Sequence, residues 1–254
     1  MPSQIVAVIP ARLASTRLSR KVLREIAGRP MLDWVYRAAR ACSQLDRVLI
    51  ATDSDEVMAF AEQLGFDAMM TPAECASGTD RVYFVAQQVE AHIYVNVQGD
   101  EPLVRPEQID ALLRPLLKRP DILVSTVATP CAPEQIGNPN AVKVVTAADG
   151  RALYFSRATI PHDRDQSGKV KYQKHLGLYA YRKQALDRFP ALPASALEAA
   201  ERLEQLRFLE AGIDIYVEPT EFDSIGVDTE EDRLGVEKIL LERLSGTKPR
   251  GEVD

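Results

Sequence analysis

Short apolar runs alternate with amphipathic segments through the first half of the chain. Residues 5–9 (IVAVI) are mostly β-branched, apolar on both faces and stopped by Pro10, which is typical of a buried central strand. The alternation that follows predicts an α/β fold, a doubly wound, mostly parallel sheet with right-handed connections. Asp53 and Ser54 are the expected caps of its second helix. The other predicted strands are 47–51, 66–70, 93–97 and 122–128, and the predicted helices are 31–42, 55–64, 78–90 and 106–117.

The hydrophobic pattern changes after Pro130. Residues 131–190 contain three strand-like stretches and little helix, and we interpret them as an antiparallel, β-rich insertion packed on the sheet's end or against a second subunit. Residues 245–254 are polar and contain Gly and Pro, so we expect a frayed tail. The stretches predicted beyond Pro130 are strands at 141–146, 153–156, 176–181 and 213–217, and helices at 197–211 and 230–244.

Length and charge narrow the class of protein. A chain of 254 residues can bury a full core, and we expect one domain over residues 1–254. With 31 Lys and Arg against 37 Asp and Glu, the net charge of −6 argues against partners such as nucleic acid or an anionic membrane surface. The start of the chain lacks the basic segment of a signal peptide, and no apolar run reaches the roughly 18 residues of a membrane span. We therefore expect a cytoplasmic protein.

The three cysteines add a weaker indication. Cys42, Cys75 and Cys131 are widely spaced and form no CxxC pair. This usage predicts buried free thiols in a reducing compartment, and it disfavours a disulfide scaffold or a zinc site.

The segment after the first predicted strand is strongly basic. Arg12, Arg17, Arg20 and Lys21 place four cations within ten residues of an otherwise acidic chain. Ligands of an open parallel sheet bind beyond the carboxyl ends of its strands, and backbone donors with Arg and Lys suit a polyphosphate. The alternative is a solvated basic turn. The spacing is neither GxxxxGK[ST] nor GxGxxG, which disfavours a Walker ATPase and an NAD-dependent dehydrogenase.

Two carboxylates are candidate metal ligands. Asp100 follows the predicted strand at 93–97, and Asp228 precedes the last predicted helix. Each has a structural alternative, an Asx-turn at Asp100 and a capping box formed by Thr229 with Asp232. Asp228 lies before that cap and can point elsewhere. Two carboxylates beside a basic phosphate loop predict a Mg²⁺-nucleotide site.

A series of ordered segments resembles one enzyme family. IPAR at 9–12 with STRL at 15–18 and Lys21 resembles the signature of sugar-acid cytidylyltransferases. With the later segments, the chain from about residue 5 to 240 resembles the CMP-Kdo synthetases (3-deoxy-manno-octulosonate cytidylyltransferases). Those segments are ATD at 51–53, SGTDR at 77–81, VNVQGDEP at 95–102, NPNAVKVV at 138–145, ALYFSRATIP at 152–161, HLGLY at 175–179, LEQLR at 203–207 and GVDT at 226–229.

The resemblance implies a fold, a reaction and partners. The fold is a nucleotide-binding α/β sheet (nucleotide-diphospho-sugar transferase-like) whose β-rich insertion builds a homodimer and binds the sugar. The reaction joins CTP to the sugar acid Kdo with Mg²⁺ as the ion, releases pyrophosphate, and supplies CMP-Kdo for lipopolysaccharide biosynthesis.

The resemblance also assigns roles to individual residues. Lys21, Asp100 and Asp228 are implied to be catalytic, and the two aspartates are implied to bind the metal. The residues implied to bind CTP are Arg12, Leu13, Ala14, Ser15, Arg17, Lys21, Ser77, Arg81 and Gln98, and those implied to bind the sugar are Arg157, His175, Tyr179, Glu204 and Gln205.

The chain departs from the family pattern in the phosphate loop. The family usually has Leu-Pro-Gly-Lys-Pro-Leu, and this chain has LSRKVL at 18–23, so Ser19 and Arg20 replace Pro and Gly. Lys21 is retained, whereas the allowed backbone angles of the loop change. His162 stands where an aromatic residue commonly follows Pro161, and we interpret it as a loop residue.

Two other functions stay open. The same chemistry could act on a related ulosonic acid such as 8-amino-Kdo, whereas segments FSRATIP and HLG disfavour a CMP-sialic acid synthetase. A non-catalytic CTP-binding regulator is favoured only by Ser19 and Arg20. Retention of Lys21 and both aspartates argues against it.

Overall fold

The structure is a computed structural model that describes residues 5–13, 18–75 and 77–245. Its strands follow the predicted order with small shifts at their ends, and a two-residue pair, β2 and β3, was not predicted. The strands are β1 (Ile5–Pro10), β2 (Glu25–Ile26), β3 (Arg29–Pro30), β4 (Arg47–Thr52), β5 (Ala68–Met70), β6 (Ile93–Asn96), β7 (Val124–Pro130), β8 (Lys143–Thr146), β9 (Ala152–Ser156), β10 (Gln173–Arg182) and β11 (Ile215–Pro219).

The helices alternate with the strands in the first half of the chain. Single 3-10 turns occur at Lys21–Leu23, Pro133–Gln135 and Phe189–Ala191. The α-helices are α1 (Met31–Arg40), α2 (Asp55–Leu64), α3 (Gly78–Gln88), α4 (Pro106–Lys118), α5 (Lys183–Arg188), α6 (Ala196–Glu201), α7 (Leu206–Glu210) and α8 (Glu230–Leu244).

The chain divides into two compact units. Among the described residues, the first unit contains Ile5–Val89, Asn96–Pro106 and 224–245, and the second contains Glu90–Val95 and Glu107–Asp223. In the first unit β1 pairs in parallel with β4, which pairs in parallel with β5. Val6 to Ile9 of β1 are completely buried, as expected of a strand that is apolar on both faces.

A separate cluster in the first unit packs α8 beside the phosphate-loop region. Leu18, Ile26 and Met31 are buried with Val227, Val236 and Leu240. The cluster therefore joins the end of the basic loop to the segment that carries Asp228, because the buried side chains on both lie in one apolar core.

In the second unit the sheet is mixed. β7 pairs in parallel with β11 and antiparallel with β10, and β8 pairs antiparallel with β9 and β10. The strands predicted inside the β-rich block are present as β8, β9 and β10. The predicted α/β fold with a mostly parallel central sheet is confirmed.

Two predictions are wrong in detail. The helix predicted over 197–211 is broken into α6 and α7, because Arg202 adopts a left-handed conformation (φ 55°) that ends α6. Of the three thiols, Cys42 is buried, whereas Cys75 and Cys131 are partly exposed. Among the described residues, no helix has the length and apolarity needed to cross a membrane.

Candidate functional site

A polar cavity opens at the carboxyl end of β1 in the first unit. It has a volume of about 160 Å³ and joins the basic loop to the segment after β6 and the start of α3. Six of the predicted residues line it, namely Arg12, Lys21, Ser77, Arg81, Gln98 and Asp100. This is the position at which an open parallel sheet binds its ligand.

Lys21 lies between the two predicted metal ligands. Its Nζ donates to Asp100 Oδ2 at 2.6 Å and to Asp228 Oδ1 at 2.8 Å. The Lys21 side chain is 13% exposed, whereas those of Asp100 and Asp228 are 32% and 46% exposed. Burial lowers the pKa of Lys21, but the charge of Asp100 and hydrogen bonds to both carboxylates outweigh it, so the net pKa is raised and Lys21 stays charged.

Local structure holds Asp228 in this place. The Val227 N–H donates to the Asp100 carbonyl at 2.9 Å, which ties the two loops together. Thr229 is the N-cap of α8 and forms a capping box with Asp232, as predicted. Asp232 also accepts from the Asp228 N–H at 3.0 Å, so the Asp228 backbone is fixed while its side chain reaches Lys21.

Arg20, one of the two altered residues of the basic loop, keeps a glycine-like backbone. Arg20 has φ 55° and ψ 34°, a left-handed conformation that non-glycine residues seldom adopt. Its guanidinium pairs with Glu56 in the first turn of α2, and the 3-10 turn that contains Lys21 starts at the next residue. The arginine therefore occupies the backbone geometry that a glycine would take at this position.

Arg12 and Arg81 share one carboxylate. Asp53 Oδ2 lies 2.5 Å from Arg81 Nη2 and 3.6 Å from Arg12 Nε. The Arg81 side chain is completely buried, and its other terminal nitrogen donates to Thr71. Arg81 Nε is a buried donor that has no partner among the described residues.

Two glycines make close approaches at the cavity wall, Gly99 to a backbone carbonyl and Gly78 to a side chain. A Cβ on Gly99 would lie 2.6 Å from the Pro10 carbonyl oxygen, and one on Gly78 would lie 3.3 Å from Asn96 Nδ2. Ser77 is the N-cap of α3 and forms a capping box with Asp80. Its side chain thus has a structural role as well as a place on the wall.

Of the other residues predicted to bind CTP, the structure describes Gln98 and Leu13. Gln98 Nε2 donates to Asn96 Oδ1 at 3.3 Å, which orients the amide at the cavity. Leu13 is partly buried and does not line the cavity. Ala14, Ser15 and Arg17 lie outside the described residues.

In the second unit, His175 and Tyr179 lie together on β10. Their ring centroids are 5.4 Å apart, and Phe155 packs edge-on against His175 at 5.0 Å. Thr126 Oγ1 lies 3.0 Å from His175 Nε2 and donates to the Leu178 carbonyl at 2.7 Å. A hydroxyl has one proton, so it accepts from Nε2–H and leaves Nδ1 as an acceptor. Burial lowers the pKa of His175 to about 3, and the ring is neutral at pH 7.

Arg157 is held by backbone carbonyls. Its Nε, Nη1 and Nη2 donate to the carbonyls of Glu201 (2.7 Å), Pro139 (3.0 Å) and Arg202 (3.3 Å). The Arg157 N–H donates to the Glu201 carboxylate at 2.9 Å, and Lys143 Nζ donates to the Arg157 carbonyl at 2.9 Å. These carbonyls use part of the Arg157 donor fork. A sugar carboxylate would therefore receive only the remaining N–H groups of the predicted anchor.

Glu204 and Gln205 lie in the turn between α6 and α7, where the predicted helix is broken. Glu204 borders a cavity of about 590 Å³ with Arg202, Arg207 and the end of α6. Gln205 is 7% exposed, and its Nε2 has no partner in the part of the chain that the structure describes. A buried amide donor of this kind suits a sugar hydroxyl.

Reasoning from the sequence missed the supporting residues Asp53, Thr126 and Glu201. The sequence predicts Asp53 and Ser54 as caps of α2; Ser54 is the N-cap, whereas Asp53 pairs with Arg81. Pairs such as Asp53 with Arg81 join residues far apart in the chain, so spacing gives no signal for them. The ATD segment at 51–53 was the one available hint.

The carboxylate pair fits a divalent cation. Asp100 and Asp228 lie within hydrogen-bond distance of one ammonium, so their oxygens already surround a common cation position. Mg²⁺ takes one or two carboxylates and completes its shell with phosphate oxygens and water. Among the described residues no cluster of three or more His, Cys, Asp and Glu could hold a metal alone.

Comparisons with known proteins agree in pointing to one family. The profile of the family described as Cytidylyltransferase matches residues 6–215. The 3-deoxy-manno-octulosonate cytidylyltransferase of Acidobacterium capsulatum is 65% identical over 239 residues, covering 94% of this chain and 97% of its own. The protein of the same name from Koribacter versatilis is 59% identical and covers 94% and 90%.

A solved structure supports the same assignment. The CMP:2-keto-3-deoxy-manno-octonic acid synthetase complexed with CTP is 40% identical, with a TM-score of 0.91 over 95% of this chain and 100% of that one. Family profile, sequence relatives and structure therefore agree, and the chain belongs to the 3-deoxy-manno-octulosonate cytidylyltransferase (CMP-Kdo synthetase) family of nucleotidyltransferases.

Proposed function

We propose that the protein transfers the cytidylyl group of CTP to 3-deoxy-manno-octulosonate, giving CMP-Kdo and pyrophosphate for lipopolysaccharide biosynthesis. The observation that carries this proposal is Lys21, bound to Asp100 and Asp228 at the cavity beyond β1. Cations for a triphosphate and carboxylates for its metal ion meet there. The relatives named above carry out the reaction that their names state.

CTP is assigned to the first unit. Arg12, Arg17 and Lys21 bind the triphosphate, because Arg and Lys neutralise its charge. Arg81 and Gln98 donate to the ring acceptors of cytosine. Acceptors of Ser77, Gln98 and the backbone of residues 13–15 receive its amino N–H groups, which uracil lacks. The place of Ser77, Arg81 and Gln98 in the cavity wall supports this role.

Kdo is assigned to the second unit. Arg157 contributes its remaining N–H groups to the sugar carboxylate. His175, Tyr179, Glu204 and Gln205 bind hydroxyl groups. The neutral His175 ring, with Nδ1 as acceptor, and the buried Gln205 amide support this assignment.

In the reaction the anomeric oxygen of Kdo forms a bond to the α-phosphorus of CTP, and the bond from that phosphorus to the β-phosphate bridging oxygen breaks. The hydroxyl proton leaves to solvent, and pyrophosphate carries away the electron pair. Lys21 stabilises the charge that grows on pyrophosphate, and positioning supplies most of the acceleration. Asp100 and Asp228 are the residues that would hold Mg²⁺, which when bound polarises phosphate oxygens and lowers the pKa of a coordinated hydroxyl.

Substituting Asp100 separates the enzyme from a CTP-binding regulator. Asp100→Asn removes one metal-binding charge and is expected to lower sugar-dependent pyrophosphate release by at least roughly a hundredfold, while CTP binding measured by calorimetry persists. Asp67→Asn, at an exposed pair with Arg47, is the matched control and should leave the rate unchanged. Full activity of Asp100→Asn would refute the assigned role of this carboxylate.

The proposal also includes a cytoplasmic homodimer built by the β-rich insertion at 131–190. Light scattering of the purified protein tests the assembly directly. A mass of one chain at micromolar concentration would contradict it.

A further inference from the structure

We propose that Lys21 and a divalent cation compete for the Asp100–Asp228 carboxylate pair, so that the cation binds tightly only after a triphosphate has drawn Lys21 away. Lys21 thus occupies the cation position between the two carboxylates in the nucleotide-free protein. The inference rests on the proposed function, because it requires a triphosphate ligand and a metal at this site.

The geometry makes the two cations alternatives. Lys21 Nζ lies 2.6 Å from an Asp100 oxygen and 2.8 Å from an Asp228 oxygen. A bound Mg²⁺ would take oxygen ligands at about 2.0–2.1 Å. An ammonium and a metal ion that use the same two carboxylates would be only a few ångströms apart, where their repulsion is strong in a half-buried site.

Charge counting leads to the same result. The ammonium offsets one of the two carboxylate charges, so the three side chains together carry one negative charge. A carboxylate pair without Lys21 carries two and attracts a divalent ion more strongly. Lys21 therefore lowers the metal affinity of the nucleotide-free protein.

A triphosphate offers Lys21 other partners. Lys21 and Arg12 line the same cavity, and lysine is a point charge on a flexible four-carbon stem that can turn from a carboxylate to a phosphate. Once Lys21 has turned, its ammonium no longer competes with the metal for the two carboxylates. Binding of nucleotide and metal is then positively coupled, and the coupling is reciprocal.

Manganese binding without nucleotide tests the inference. Free Mn²⁺ is measured by its electron paramagnetic resonance signal during titration of wild type, Lys21→Met and Arg24→Met. Arg24 is exposed and its Nε donates to the Ser19 carbonyl, so Arg24→Met removes an equal charge from the same loop. We expect Lys21→Met to bind Mn²⁺ at least roughly tenfold more tightly than wild type, and Arg24→Met to stay within about threefold.

Lys21→Gln provides a second variant should Lys21→Met not fold. Glutamine keeps hydrogen-bond donors but no charge, so it should also gain affinity for Mn²⁺, whereas Lys21→Arg should bind as weakly as wild type. Equal or weaker Mn²⁺ binding by both uncharged variants overturns the inference, and so does an equal gain in Arg24→Met. Failure of the proposed function would appear separately, as absent sugar-dependent pyrophosphate release in wild type.

Discussion

The Asp53 carboxylate lies 2.5 Å from the guanidinium of Arg81, whose side chain is completely buried. Asp53 is also 3.6 Å from Arg12, so one carboxylate orients two of the cations assigned to CTP. A buried guanidinium needs an anionic partner. We therefore expect Asp53 to act as a positioning residue for the proposed nucleotide site.

Removing this carboxylate should affect both stability and nucleotide binding. Asp53→Asn leaves Arg81 buried without its counter-ion, and we expect a loss of about 3 kcal/mol in the free energy of unfolding. The KM for CTP should rise by roughly tenfold, since Arg12 and Arg81 lose their orientation. Urea denaturation and steady-state kinetics measure the two effects.

The exposed pair of Arg47 with Asp67 gives a control for this prediction. Asp67→Asn breaks an ion pair at the surface, which is worth at most about 1 kcal/mol. An unchanged KM for CTP in Asp53→Asn would show that the pair is only structural.

We expect that replacing Arg20 by glycine does not lower the stability of the protein. Its left-handed backbone is strained for arginine by about 1–2 kcal/mol, whereas the exposed pair with Glu56 contributes less than about 1 kcal/mol. Arg20→Gly should therefore leave the free energy of unfolding unchanged or raise it by up to about 1 kcal/mol, with turnover retained. Arg24→Gly, at φ −65°, should lower it by about 0.5–1 kcal/mol. Equal losses in the two variants would contradict the interpretation of Arg20.

We expect that no side chain larger than hydrogen fits at position 99 without a shift of the backbone. The Cβ of Gly99→Ala would lie 2.6 Å from the Pro10 carbonyl oxygen, so one of two backbone segments must shift. We expect a loss of about 1–3 kcal/mol in stability, together with weaker CTP binding in calorimetry. Gly226→Ala is the control, because its Cβ would meet no atom within 4 Å. Wild-type CTP affinity in Gly99→Ala would exclude the close approach as a requirement.

We expect His175 to cause part of the loss of folding stability at low pH. Its pKa is about 3 in the folded protein, against 6.5 as the ordinary value. The unfolded chain therefore takes up a proton that the folded state does not, and stability is lost as the pH falls from 6.5 toward 3. Because the residue is partly exposed, we discount this to about 1–2 kcal/mol between pH 7 and pH 5.

The variant His175→Gln should weaken this pH dependence. Its denaturation midpoint should change less between pH 7 and pH 5 than that of wild type, although its stability at pH 7 is lower. His162→Gln, at an exposed loop residue, should show the wild-type change. A wild-type pH dependence in His175→Gln would rule out His175 as the source.

Local signals explain how much of the fold could be predicted. Residues 5–9 appear as the core of β1 because burial on both faces needs a continuous apolar run. The last helix spans Glu230–Leu244 as predicted, because the Thr229–Asp232 capping box fixes its start. The break at Arg202 was not predictable, because no Gly or Asn marks the left-handed residue that ends α6.

The candidate site follows the same division. Lys21, Asp100 and Asp228 could be grouped from the sequence, since ligands bind beyond the carboxyl ends of parallel strands. The contacts of Lys21 with the two aspartates could not be predicted, because Lys21 is 79 positions from Asp100 and 207 positions from Asp228 in the chain. The ties between Arg157 and the carbonyls of Pro139 and Glu201 also depend on tertiary packing alone.

Sugar-dependent release of pyrophosphate from CTP tests the central claim most directly. The purified protein is assayed with Mg²⁺ and Kdo, 8-amino-Kdo or sialic acid, with controls lacking sugar, containing EDTA, or replacing CTP by UTP. We expect rapid release with Kdo and CTP, loss of release with EDTA, and little release with sialic acid or UTP. Faster release with 8-amino-Kdo would show that the protein prefers the amino sugar as substrate and catalyses the same reaction. No sugar-dependent release from folded protein that binds CTP would contradict the catalytic function.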